Sequence, residues 1–377
     1  MFEFGYFKEL GIEDIAHKVA LGERLTISEG ERLFACTDLN ALGSLAHLAR
    51  TRLHGNAAFY VVNRHINYSN ICVNGCRFCA FSRKKGDPLS FELSEDEILD
   101  RIRMSGNSFT EIHIVGGCHP DLPLFFFEKL LRKIREIKPH AFIKAFTAIE
   151  IAHFAKIEGI SVEQVLARLK SAGLQMLPGG GAEVFSARVR QLLCPEKLDG
   201  EGWLDVMRKA HEMGIKTNAT MLYGHIETVK ERIEHMTALR ELQDRTGGFV
   251  CFIPLTFQPA NNGLSHIPPT TGVDDLKTIA VSRLILDNIA HIKAYWVMLT
   301  VKLAQTALYF GADDFDGTVV EEKIAHMAGA ESKQGMTRGE IENLIREAGL
   351  EPVERDSLFR PLSSPSPSGS GVGVSEI

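Results

Sequence analysis

Along the first 55 residues, apolar side chains return every three or four positions. The segments are LGIEDIAHKVALGERL, a Ser28-initiated ISEGERLFACTD and DLNALGSLAHLARTRLHG, punctuated by Gly22, Gly43 and Gly55. That interval lays one apolar stripe along a helix. Residues 1–55 are therefore expected to form a helical extension that caps the bottom or side of the main fold. From Ala57 the pattern changes to short runs rich in β-branched and aromatic residues: AAFYVVNRHINY, EIHIVGG, AFIKAFTA, GLQMLPGG, KTNATMLYG, GFVCFIPLTF, IKAYWVML and a weaker DGTVV. Helical stretches such as LFFFEKLLRKIREI and GWLDVMRKAHEMG separate them. Alternation of this kind argues for parallel βα units. The α/β expectation is a (β/α)8 TIM-type barrel over residues 56–330, with or without full closure. Residues 331–360 read as a C-terminal helical segment. The Ser-, Pro- and Gly-rich stretch 361–377 reads as a disordered tail without a catalytic role.

Composition narrows the setting. Apolar residues make up 45% and charged residues 24% of the 377, ordinary shares for a soluble globular protein. The net charge of −6 gives no general attraction to nucleic acid. The opening MFEFGYFKELGIED lacks a basic start followed by an apolar core, and no run approaches the length of a membrane span. A cytoplasmic protein without membrane insertion is expected. Seven cysteines suit a reducing compartment better than a disulfide framework.

Three of those cysteines change the picture. In VVNRHINYSNICVNGCRFCAFSRKKGDP, Cys72, Cys76 and Cys79 stand at C-x3-C-x2-C after a strand-like run, with Phe78 just before the third. Three thiolates in eight residues can wrap one loop around a [4Fe–4S] cube and leave one iron open to a small molecule. A zinc loop would need a fourth ligand, with His65 or His113 as the lone candidates. Cys36, Cys118, Cys194 and Cys251 read as small buried side chains. The motif resembles that of radical S-adenosylmethionine (SAM) enzymes, in which the methionine amine and carboxylate chelate the open iron. An electron-transfer protein that only stores charge is the other class, disfavoured by the missing fourth thiolate.

Further candidates stand at strand ends, where barrel chemistry is placed. Gly116 and Gly117 would let backbone carbonyls approach the methionine ammonium, unless they form a plain strand-to-helix turn. In PGGGAE, Glu183 could bind a ribose diol or simply favour a helix start. No Lys-Ser/Thr follows to make a phosphate loop. TMLYGHIE resembles the G-x-I-x-G-x-x-E adenine-contact motif, with Gly224 and Glu227 in register and departures at Thr220 and Leu222. Phe78, Gly116, Gly117, Glu183, Gly224 and Glu227 are the cofactor-binding candidates.

Taken together, VVNRHINYSNICVNGCRFCAFSR, HIVGGCHPDLP, IKAFTAIEI, LPGGGAEVF, TNATMLYGHIET, TGGFVCFIPLTFQP and LDNIAHIKAYW resemble the aminofutalosine synthase family. Near relatives are cyclic dehypoxanthinyl futalosine synthase and deazaflavin-forming enzymes, which remain alternatives. The resemblance implies an electron from a flavodoxin- or ferredoxin-type reductant and cleavage of SAM to methionine and a 5′-deoxyadenosyl radical. It implies addition of that radical to 3-[(1-carboxyvinyl)oxy]benzoate, aryl migration, and formation of 6-amino-6-deoxyfutalosine for menaquinone biosynthesis. Such an aryl enol ether carries two carboxylates and calls for cations or hydrogen-bond donors. Arg64, His65, Arg83, His225, Arg283 and Lys293 are candidates, and Tyr223 with His225 could orient the substrate. The catalytic set is Arg64, His65, Tyr223 and His225.

Overall fold

The computed structural model describes residues 4–104 and 109–362. From residue 363 the expected disordered tail lies outside the described residues. Four helices lead the chain: α1 (Phe4–Glu9), α2 (Glu13–Leu21), α3 (Ile27–Ala35) and α4 (Leu39–His54). Two short strands follow, β1 (Ala57–Val61) and β2 (Asn63–Asn67), then α5 (Glu95–Met104), β3 (Glu111–Val115), α6 (Leu124–Ile137) and β4 (Phe142–Ala145). The chain continues through α7 (Ala148–Glu158), α8 (Val162–Ala172), β5 (Met176–Leu177), α9 (Ala187–Leu193), α10 (Gly200–Glu212) and β6 (Lys216–Tyr223). Next come α11 (Val229–Thr246), β7 (Phe249–Thr256), α12 (Gly272–Ile285), β8 (His291–Ile292), α13 (Trp296–Leu299) and α14 (Val301–Ala307). The described chain closes with β9 (Asp314–Gly317), α15 (Ile324–Met327), α16 (Arg338–Glu347) and β10 (Glu351–Glu354).

Strands β2 to β8 form one parallel sheet in sequential order. Single bridges from Lys293 to Asp314 and from Arg64 to Val320 tie its two ends to the segment around β9. The barrel is thus partial, its seam held by isolated bridges in place of an eighth full strand. The run AAFYVVNRHINY, expected as one strand, splits at Val62 between two sheets: β1 sits between β10 and β9, and β2 begins the barrel. The run IKAYWVML supplies only the end of β8 before turning into α13. A short apolar run has no period long enough to separate strand from helix, and here Trp296 anchors the helical turn through Nε1 to the Gly317 carbonyl at 2.9 Å. Strand β10 pairs parallel with β1 within a stretch that reads as helical. Its Pro352 is tolerated because the strand lies at the edge of its sheet.

Capping explains the helix starts. Thr26 with Glu29 and Thr147 with Glu150 form reciprocal capping boxes on α3 and α7, and Asp38 accepts from the Ala41 N–H on α4. The leading helices α3 and α4 pack against α11 and α12 on the outside of the barrel. Arg50, fully buried, ties α4 to the barrel by donating to the carbonyls of Gly55 (2.6 Å), Ala57 and Ala312. Along the strands the two-residue side-chain period sorts the faces. Ile66, Ile112, Ile114, Ala219 and Met221 are buried under the helices, whereas Asn63, His65, Asn67, His113, Lys144, Asn218, Thr220 and Leu222 line a central cavity. Among the described residues no helix is long and apolar enough to cross a membrane.

Candidate active site

The cavity has a volume of about 330 Å³ and runs from the cysteine loop into the barrel. The loop is held by backbone bonds at both flanks. Cys72 N–H donates to Arg83 O (2.9 Å), Val73 N–H to Cys118 O (3.0 Å) and Arg77 N–H to Leu193 O (2.8 Å). Arg83 also donates to the carbonyls of Ala80 and Ser82, both at 2.8 Å, so this cation clamps the loop. Cys72, Cys76, Phe78 and Cys79 all line the cavity mouth. Gly117 comes so close beneath the loop that a Cβ there would overlap the Ile71 carbonyl; only glycine fits.

The thiols fit a cluster better than one ion. Ligands of a tetrahedral zinc at about 2.3 Å lie about 3.8 Å apart. Among the described residues, the one group of three potential ligands with atoms all within 4.8 Å of each other is His54, His291 and Asp313, and the three cysteines of the loop are not among such groups. Burial pushes the Cys76 thiol up to about 12, with the Lys197 ammonium pulling the other way. A hydrogen bond from Cys118 holds Cys72 down, at about 5. Cys36, Cys118, Cys194 and Cys251 are all buried, as expected for small core side chains. Cys118 also lines the cavity.

Gly116 and Gly117 face the cavity below the loop. Tyr68 binds this turn, its hydroxyl sharing its one proton between Gly117 O (3.1 Å) and Glu150 Oε1 (2.9 Å). Glu150 also accepts the Gly116 N–H at 3.1 Å. Burial pushes the Glu150 carboxyl up to about 7 against the hydrogen bonds from Thr147, Tyr68 and Gly116. Glu183 reaches the cavity from the turn after β5 and accepts from Lys197 Nζ at 2.6 Å. Lys197 lies over the Phe78 ring at 5.1 Å. Sequence reasoning passed over both Glu150 and Lys197. The capping box of Thr147 and Glu150 was a visible signal for the first, while the second lies fourteen residues past Glu183 with no local mark.

Seven candidates lie away from the cavity: Arg64, Tyr223, Gly224, His225, Glu227, Arg283 and the loop-clamping Arg83. Arg64 alternates with Asn63 and His65 and so points out of the barrel, pairing with Glu321 at 2.9 Å. Tyr223 follows Leu222 and faces the helices for the same reason, its hydroxyl donating to Asp275 of α12 at 2.8 Å. Gly224 and His225 belong to a turn that Glu227 folds over: Glu227 accepts the N–H of Gly224 (2.6 Å) and of His225 (2.9 Å) and pairs with Arg232. His225 and Glu227 side chains are fully buried there. Arg283 likewise is spent on Asp313 and the Gly311 carbonyl. Of the proposed cations, His65 and Lys293 reach the cavity.

Comparison with known proteins agrees with this geometry. A radical SAM superfamily model matches residues 66–239, and a model described as the CofH/MqnC C-terminal region matches residues 246–368. The aminodeoxyfutalosine synthase of Thermus thermophilus is 48% identical over 92% of this chain and 94% of its own. That of Streptomyces coelicolor is 44% identical over 93% of each, and the cyclic dehypoxanthine futalosine synthase of the same organism 38% over 93% and 89%. Methylornithine synthase, 18% identical, shares the fold with a TM-score of 0.73 over 89% of this chain and 96% of its own. The chain belongs to the aminodeoxyfutalosine synthase family of radical SAM enzymes, which works with a [4Fe–4S] cluster and SAM.

Proposed function

We propose that this protein joins the adenosyl carbons of SAM to 3-[(1-carboxyvinyl)oxy]benzoate, giving 6-amino-6-deoxyfutalosine. The observation that carries the reading is the cavity itself: three thiols ring one end, and histidines, lysines and amides line the other. When bound, the cluster supplies the electron that divides SAM into methionine and an adenosyl radical. The chain's own residues then place and shield. Cys72, Cys76 and Cys79 hold the cluster. The Gly116–Gly117 turn, braced by Tyr68 and Glu150, presents carbonyls to the methionine ammonium. Glu183 takes the ribose diol, with Lys197 holding its carboxylate in place, and Phe78 covers that pair. His65 faces the aryl substrate. Arg64, Tyr223, Gly224, His225 and Glu227 shape the surrounding strands and turns without touching the reacting atoms.

A flavodoxin- or ferredoxin-type protein is the reductant in this reading. In this reading the protein works in a reducing cytoplasm, where cysteine thiols stay reduced. Carbon-labelled SAM tests the proposal: incubation with reductant and the aryl enol ether places label in the nucleoside product. Label confined to 5′-deoxyadenosine, with dehypoxanthinyl futalosine consumed, would make the protein the cyclase instead.

A further inference from the structure

We propose that the floor of the cavity, built by His113, Lys144 and Asn218, is the recognition site for the aryl carboxylate of the substrate. The inference rests on the reading above for its choice of ligand. His65, His113 and Lys144 are register partners across β2, β3 and β4, so one rung of the sheet carries all three into the barrel. The two imidazoles stack at 4.6 Å and 12°, and both line the cavity. Among the described residues none hydrogen-bonds the His113 ring, and burial with the neighbouring Lys144 charge keeps it neutral. A neutral imidazole offers one N–H donor.

Asn218 adds the sharper observation. It points inward from β6, 3% exposed, and its Oδ1 is buried with no partner. No described group binds the rest of its amide. A carboxylate can only accept hydrogen bonds, so the part of this amide that serves it is the Nδ2 donor, which no described group occupies, and not Oδ1. Lys144 spends one contact on Glu111 at 2.7 Å, whose second oxygen accepts from Ser357 at 2.6 Å. The ammonium has three N–H groups, so donors remain. Lys293 differs: two carboxylates, Asp316 and Asp314, face it and more than balance its charge against an incoming anion.

Across from this polar rung, Ile253, Leu255 and Phe257 make an apolar wall along β7 and the turn after it. A polar floor below an apolar wall suits a benzoate: carboxylate down, ring against the wall. His113 stands three residues before Gly116, about 10 Å down the strand at about 3.3 Å per residue. That depth leaves the enol ether near the glycine turn, beside the cluster loop, and the ring carboxylate on the floor.

The test compares wild type with Asn218→Ala and Asn218→Asp, using cluster-loaded protein. Calorimetric titration with the aryl enol ether and with 3-hydroxybenzoate reads binding directly, and steady-state turnover reads KM against kcat. Asn218→Ala should raise Kd and KM about 30-fold while kcat stays within about threefold. Asn218→Asp, which sets a carboxylate against a carboxylate, should weaken binding further, and a carboxamide analogue of the ring carboxylate should lose least with it. Iron content and melting temperature should hold in both variants, which excludes misfolding as the cause. Binding indifferent to Asn218, or absence of aryl carboxylate binding in wild type, would overturn the floor assignment. Wild type that binds 3-hydroxybenzoate through Asn218 yet forms no aminodeoxyfutalosine would overturn the proposed reaction and leave the floor standing.

Discussion

The turns after β5 and β6 each leave a parallel strand through glycine and reach a glutamate within six residues: PGGGAE ends at Glu183 and YGHIE at Glu227. In the first, Glu183 adopts a left-handed backbone (φ 50°) and its carbonyl accepts the Leu222 N–H at 3.0 Å, which turns the carboxylate toward the cavity. In the second, the carboxylate closes on its own turn and on Arg232. The two differ in where the nearest cation sits. Lys197 lines the cavity, whereas Arg232 is held among the helices by Asp274 and Thr278 at 2.9 Å. A buried carboxylate follows its cation. Gly224 belongs to the closed turn for a matching reason: its φ of 91° and the Thr270 methyl beside it admit no Cβ.

The largest expected effect lies outside both turns and sets the scale for them. Replacing Cys72, Cys76 or Cys79 with Ala should remove all of the roughly four irons of one cube, together with SAM cleavage; Ala at Cys36 or Cys251 should keep them. Iron assay and visible absorbance decide it. Next, Glu183→Ala should lower turnover about 100-fold, the scale of a misplaced reactant, with iron content intact. Equal loss on Glu227→Ala with an unchanged melting temperature would erase the contrast between the turns.

A smaller effect is expected for Glu227→Gln, seen in stability. Breaking a buried pair by removing one partner costs about 3 kcal/mol, measurable by thermal or denaturant unfolding, while SAM cleavage by the folded fraction persists. Burial alone would raise Glu227, but His225 and Arg232 outweigh it and hold the carboxyl at about 2, below its usual 4.5. A depressed folded value means that the stabilisation is complete above pH 4.5 and disappears as pH falls toward 2. The glutamine variant should therefore lose less stability than wild type across that acid window. Smallest of all, Tyr223→Phe removes the hydrogen bond to Asp275 and should cost about 1 kcal/mol with kcat unchanged. A large fall in kcat would place Tyr223 at the reacting atoms after all.

What could be read before folding follows from range. Cys72, Cys76 and Cys79 lie within eight residues, so one loop gathers them whatever surrounds it. LFFFEKLLRKIREI coincides with α6 because a three-and-four apolar period belongs to the helix alone. Glu183 and Glu227 were equally legible as strand-end glutamates, and for that reason could not be told apart. Arg64 and Tyr223 were misplaced by one position of strand parity: each neighbours an inward residue, and a two-residue period turns neighbours to opposite faces.

The sequence by itself determined the local things: the cluster loop, the βα alternation and the glycine turns at the mouth. Each arises from residues close enough in the chain to act on one another without a fold. The tertiary structure decided the rest. It divided AAFYVVNRHINY between two sheets, added β10 beside β1, and aligned His65, His113 and Lys144 from three strands on one rung. It also left Asn218 buried with an unpaired oxygen. Register, parity and the position of a distant cation are set when strands far apart in sequence pair and pack, and no local pattern carries that information.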